Sequence, residues 1–172
     1  KKLEICGTDW KKIFEDDFRK SVPDYCFLYR LKDTAQSYNK SKKTKFTWNN
    51  PCDFFVFNSN TSILYALELK STKYKSMSIQ FDEDDDSKMV KLHQIESLTD
   101  MSRYNGIVAG FMFNFRDEKN NMERTYFQNV IDFNSMCKKI NKQSLNEMDL
   151  LLNGAVKIDG AKKRVHYTWD LD

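Results

Sequence analysis

The chain of 172 residues has no apolar run long enough to cross a bilayer and no charged-then-apolar leader at its start, so the sequence predicts a soluble, cytoplasmic protein. Its four cysteines, Cys6, Cys26, Cys52 and Cys137, form no C-x-x-C pair and no zinc spacing. This points away from a zinc module or a disulfide framework and towards buried or incidental thiols. No internal repeat and no linker interrupts the pattern. A single domain over residues 1–172 is expected, with a short C-terminal extension over 141–172. The acidic run from Asp82 to Asp86 lacks the alternating ligands and the glycine of an EF-hand, so it reads as a solvated loop.

What is present is a core and a basic surface. Hydrophobic residues make up 40% of the chain, with 13 Phe and 8 Tyr, which places it among globular rather than disordered sequences. The net charge of +3 understates the basic surface, because the five clustered acids offset it; without them the remainder carries +8. An anionic partner follows as a modest expectation, and no membrane partner is expected.

The stretch from Pro51 to Lys70 carries the chemistry. Phe54-Phe55-Val56-Phe57 and Ile63-Leu64-Tyr65-Ala66-Leu67 are aromatic and β-branched runs around the polar cluster Asn58 to Ser62, the pattern of a β-hairpin. With an even-numbered loop centred between Asn60 and Thr61, Asp53 falls opposite Glu68. Opposed side chains of an antiparallel pair leave the same face, with Cβ atoms about 5 Å apart. An odd loop would put the two acids on opposite faces. Lys70 follows Glu68 by two residues and shares its face.

Two carboxylates and an ammonium on an otherwise apolar sheet are costly to bury unless they bind something. Magnesium, with manganese as a substitute, suits such all-oxygen donors and commonly takes only one or two protein carboxylates. A cation held there can polarise a phosphodiester and activate water, with the lysine steadying the water or the charge that builds on phosphate.

The pattern Pro51-x-Asp53, fourteen residues, then Glu68-x-Lys70 resembles the PD-(D/E)xK nuclease superfamily. Lys91-Leu92-His93-Gln94-Ile95-Glu96-Ser97-Leu98, followed by Gly106-Ile107-Val108-Ala109-Gly110-Phe111, is similar to the helix and strand after the core motif of RecU-type Holliday-junction resolvases. The similarity runs over about residues 10 to 131. It implies a restriction-endonuclease-like α/β fold, a mixed central sheet of about five strands flanked by helices. It also implies a magnesium-dependent endonuclease that resolves four-way or other branched DNA as a homodimer, in a Gram-positive bacterium or a phage-infected cell. Asp53, Glu68 and Gln94 are the implied metal ligands, Lys70 the catalytic lysine, and Glu15 an acidic residue at the rim. Arg30 and Lys32 are candidates to face the scissile phosphate, and Lys91 and His93 candidates for backbone phosphate contacts. Pro51 departs from the RecU pattern, where a threonine tends to join the metal shell. The interval before Asp53 is also short for the stalk that such resolvases insert. A restriction-type or nicking enzyme of the same superfamily, or a catalytically silent DNA-binding module, are the alternatives.

The remaining segments are read from periodicity. Trp10, Phe14, Phe18 and Val22 predict a helix over 9–21, ended by Pro23, and Tyr25 to Leu31 reads as the first strand. The polar loop 33–50 holds Lys40, Lys42, Lys43 and Lys45, a positive field suited to phosphates, beside Phe46 and Trp48, which can stack on bases or pack. Lys88 to Tyr104 predicts an amphipathic helix over the sheet. Gly106 to Arg116 and Thr125 to Ile131 predict a second hairpin, Asp132 to Ile140 a helix capped by Asp132, and Ser144 to Leu152 a short helical segment. A final strand or turn is expected near Val156 to Ile158. The tail from Lys162 to Trp169 is suited either to DNA or to a partner subunit.

Overall fold

Apolar residues at alternate positions of the central strands face two different layers, and this alternation sets the architecture. The computed structural model describes residues 10–31, 50–82, 87–164 and 166–171. In chain order the elements are α1 (Trp10–Ser21), β1 (Cys26–Arg30), β2 (Phe54–Asn58), β3 (Ile63–Thr72), β4 (Ser76–Ser78), α2 (Leu92–Met101), β5 (Ile107–Asp117), β6 (Met122–Asn129), α3 (Val130–Ile140), β7 (Ser144–Asn146), α4 (Glu147–Leu152), β8 (Val156–Ile158), β9 (Gly160–Lys163) and β10 (His166–Trp169). None of the described helices is long and apolar enough to cross a membrane.

Six strands form one sheet in the order β1-β2-β3-β5-β6-β8. All neighbours are antiparallel except β3 and β5, whose parallel pairing is joined by a crossover through α2. Five of these strands lie within residues 26–129, and the sixth, β8, comes from the C-terminal extension. One face carries Phe54, Val56, Leu67, Leu69 and Met112 against Phe14 and Phe18 of α1. The other carries Ala66, Phe111, Phe113 and Phe115 against Leu98 of α2 and Val130, Phe133 and Met136 of α3.

The β2–β3 register pairs Phe54 with Leu67 and Asn58 with Ile63, the alignment that the even loop predicts. Asn58 Oδ1 closes that loop by accepting the backbone N–H groups of Asn60 and Thr61, at 2.9 and 3.2 Å.

Three elements differ from their sequence reading. The helix expected over 88–104 begins only at Leu92, because Val90 bridges Ile79 and exchanges backbone hydrogen bonds with Ser78 and Gln80, which holds Val90 and Lys91 extended. The cap of α3 is Asn129 rather than Asp132: β6 runs straight into the helix, and Asn129 Oδ1 accepts the Ile131 N–H at 2.9 Å. The segment 144–152 is helical only from Glu147 onward. Leu145 is drawn into the core, where β7 pairs with β4, and Asn146 then caps α4 in a reciprocal box with Asp149.

The tail resolves as the β9–β10 hairpin, packed on α1. Trp169 meets Phe14 edge to face and stacks on Tyr167, and Asp17 of α1 accepts the Tyr167 backbone N–H and pairs with His166. Tyr167 and Trp169 are therefore internal to this chain rather than offered to a partner.

Candidate functional site

Asp53 stands one residue before β2, yet its backbone is already part of the ladder. Its N–H donates to Leu67 O at 3.1 Å and its carbonyl accepts the Leu31 N–H at 2.9 Å. Continued by one residue, the β2–β3 register sets Asp53 opposite Glu68. The Asp53 carboxylate is turned towards β3, where Oδ2 accepts the Leu69 backbone N–H at 2.9 Å. Glu68 is 2% exposed and Lys70 9%, and the two side chains meet at 3.1 Å.

Burial drives the Glu68 carboxyl up to about 7, and the neighbouring Asp53 charge pushes the same way, while Lys70 and Lys11 pull against them. Burial also lowers the Lys70 ammonium, against the attraction of Glu68. Both partners are thus pressed towards neutrality by the same cause, desolvation, and a further cation beside Glu68 would favour its charged form.

Gln94, in the first turn of α2, donates from Nε2 to Glu68 Oε1, while its Oε1 accepts the Lys91 backbone N–H at 3.1 Å. The arrangement differs from the carbonyl ligation that the resemblance implies, since the amide nitrogen faces the carboxylate and the oxygen caps its own helix. Turning the amide over exchanges the two.

From the opposite layer, α1 brings Glu15 and Lys11. Glu15 is 6% exposed and accepts from Arg30 Nε at 3.0 Å. Lys11, one turn earlier, lies 3.6 Å from Glu15 Oε1 and 3.3 Å from Asp53 Oδ1. Burial lowers the Lys11 ammonium, but Asp53, Glu68 and Glu15 together outweigh it and leave it above its ordinary value. α1 is fixed at both ends. The Arg116 guanidinium lies over the Trp10 ring at 4.5 Å, and Asp17 and Ser21 hold the β9–β10 hairpin.

The structure thus gathers Asp53, Glu68, Lys70, Gln94, Glu15 and Arg30 into one connected network. Lys91 and the exposed His93 flank Gln94 at the start of α2. Lys32, Lys40, Lys42, Lys43 and Lys45 lie outside the described residues. Lys11 is the member that sequence reasoning missed; its signal is the i,i+4 spacing to Glu15, which sets Lys11 one turn away on the same side of α1.

The donor set fits a hard divalent cation. Among the described residues no three His, Cys, Asp or Glu side chains cluster as a metal cage, so a cation here would rely on two carboxylates completed by amide, backbone or water oxygens, as magnesium often does. Pro51 supplies no side-chain ligand. The adjacent Cys52 is no soft competitor, because burial and then Glu68 push its thiol up to about 12.

No protein-family model matches the chain. It is 32% identical over 174 residues to the SPbeta prophage-derived uncharacterized protein YotM of Bacillus subtilis strain 168, an alignment covering 94% of this chain and 82% of that protein. Among solved structures it is similar to Hjc of Archaeoglobus fulgidus, a Holliday junction resolvase from an archaeal hyperthermophile. The match has a TM-score of 0.50 at 16% identity and covers 88% of this chain and 95% of that one. At that identity the likeness establishes the fold: a restriction-endonuclease-like mixed sheet flanked by helices, as the sequence predicts.

Proposed function

The chain belongs to the family of the SPbeta prophage-derived protein YotM, and we propose that it is a metal-dependent DNA endonuclease of the PD-(D/E)xK type that cuts four-way or other branched DNA. The observation that supports this most is the β2–β3 register, which lays Asp53 and Glu68 side by side with Lys70 on the same face. The fold shared with Hjc agrees with it, and the prophage relative agrees with a role in the cytoplasm of a bacterial or phage-infected cell. RecU-type resolvases are the nearest functional parallel, on the strength of the sequence around Gln94.

In this reading Asp53 and Glu68 hold magnesium or manganese, which supplies polarisation of the phosphodiester and a more acidic water. The protein's own groups do the rest. The Leu69 N–H fixes the Asp53 carboxylate beside Glu68. Gln94 orients Glu68 and, with its amide turned over, offers Oε1 to the cation. The Lys70 ammonium, held at 3.1 Å from Glu68, orients the attacking water and stabilises negative charge on the phosphate. Glu15 keeps Arg30 at the rim, where its guanidinium can meet the backbone of the strand being cut. Lys40, Lys42, Lys43 and Lys45 add sequence-independent phosphate contacts. Two symmetrical cuts across a junction call for two sites related by a two-fold axis, so a homodimer is proposed.

The test is cleavage of a labelled four-way junction and of linear duplex of the same sequence, each with magnesium and with a chelator. Magnesium-dependent cutting of the junction alone is expected. Equal rates on both substrates would mark a restriction-type or nicking enzyme, and binding without cutting would mark a silent DNA-binding module.

A further inference from the structure

Lys11 has no task in the cleavage scheme above, yet Asp53 and Glu15 already hold its ammonium. Its ammonium is 3.3 Å from Asp53 Oδ1 and 3.6 Å from Glu15 Oε1, and the Glu68 charge acts on it as well. Asp53 Oδ2 is committed to the Leu69 N–H, so Oδ1 is the oxygen that a metal ion would take, and Lys11 is on it.

We propose that Lys11 is a tethered counter-ion of the Asp53–Glu68 pair, which a divalent cation must displace, so that this one side chain sets how tightly the site takes its metal. The proposal rests on the metal-site reading of Asp53 and Glu68. A unit positive charge about 4 Å from a dication weakens its binding by roughly tenfold or more even at the dielectric constant of water. The displacement is local. The Lys11 side chain is 45% exposed and can swing into solvent, whereas the helix beneath it is anchored by Arg116 on Trp10 and by the hairpin on Asp17. Glu15, itself held by Arg30, keeps the displaced ammonium within reach for its return. In the metal-free protein the same contact spares Asp53 an unpaired charge beside Glu68.

The experiment is a manganese titration followed by the paramagnetic signal of the free ion, on wild type, Lys11→Met, Lys11→Arg and Lys20→Met. Lys20 is an exposed lysine near the other end of the same helix, on its opposite face, and controls for net charge. The expected result is about tenfold tighter manganese binding by Lys11→Met, with Lys11→Arg and Lys20→Met close to wild type. Asp53→Asn should weaken binding in either background. Circular dichroism and melting of each variant establish that the fold is kept, and Lys11→Arg reports on the charge even if the methionine variant melts early. Manganese binding by wild type that is unchanged or weakened in Lys11→Met overturns the proposal and leaves the metal site standing. No manganese binding by wild type or by Lys11→Met overturns both.

Discussion

Asp53 Oδ2 accepts the backbone N–H of Leu69 at 2.9 Å. Leu69 lies between Glu68 and Lys70 and faces the opposite layer, so its N–H holds an acid from the neighbouring strand beside both of them. An asparagine oxygen can accept the same bond. The charge of Asp53 is thus separable from its position, which makes the site testable without disturbing the sheet.

Replacing Lys70 with methionine keeps the aliphatic stem in its buried slot and removes the ammonium. Cleavage of branched DNA is expected to fall by about 10²–10³-fold, the range seen when one transition-state donor is lost. Junction binding should stay within a few-fold, and manganese binding should not weaken, since the substitution removes a positive charge 3.1 Å from Glu68. Single-turnover rates and a mobility-shift titration check this together, and cutting at an undiminished rate would remove Lys70 from the chemistry.

The C-terminal hairpin is a brace for α1. A Cβ on Gly160 would lie 2.3 Å from Cε3 of Trp169, whose indole is buried against Phe14. Gly160→Ala is therefore expected to destabilise the protein by about 1–3 kcal/mol through overpacking, read as a lower urea midpoint. Because α1 carries Glu15 and Lys11, the same variant should lose cleavage more than it loses DNA binding.

Acid stability depends on Glu147. Arg124 grips it with two bonds of 2.7 and 2.8 Å, and Tyr126 donates a third at 2.7 Å. The Arg124 hydrogen bonds, and secondarily that of Tyr126, hold the Glu147 carboxyl below its ordinary 4.5 against the opposing effect of burial. A carboxyl depressed in the folded state contributes stability that is present above its unfolded value and lost as pH falls through the folded one. Glu147→Gln should thus melt below wild type at neutral pH, and the gap should close as pH drops well under 4.5. A gap that persists in strong acid would show that the contribution is packing rather than charge.

Residues 51–70 were legible in the sequence because their signals are local: two apolar runs, a polar loop of even length and a period of two are enough to align Asp53 with Glu68. Glu15 and Gln94 were legible only through resemblance, since nothing in the spacing of α1 or α2 says which sheet residue each will meet. Lys11 was missed for that reason, although its distance from Glu15 is one helical turn. The role of the tail was hidden because its partners, Asp17 and Ser21, lie 148 to 150 residues away in sequence. The strand Ser144–Asn146 was hidden because three residues cannot display a period, and it forms only because β4 offers an edge.

The most direct test of the carboxylate pair as a nuclease centre is the cleavage of a labelled four-way junction by wild type and Asp53→Asn in magnesium, with binding measured on the same samples. The account predicts cutting by wild type, none by Asp53→Asn, and junction affinity kept within a few-fold in the variant. Cleavage by Asp53→Asn at the wild-type rate would contradict it.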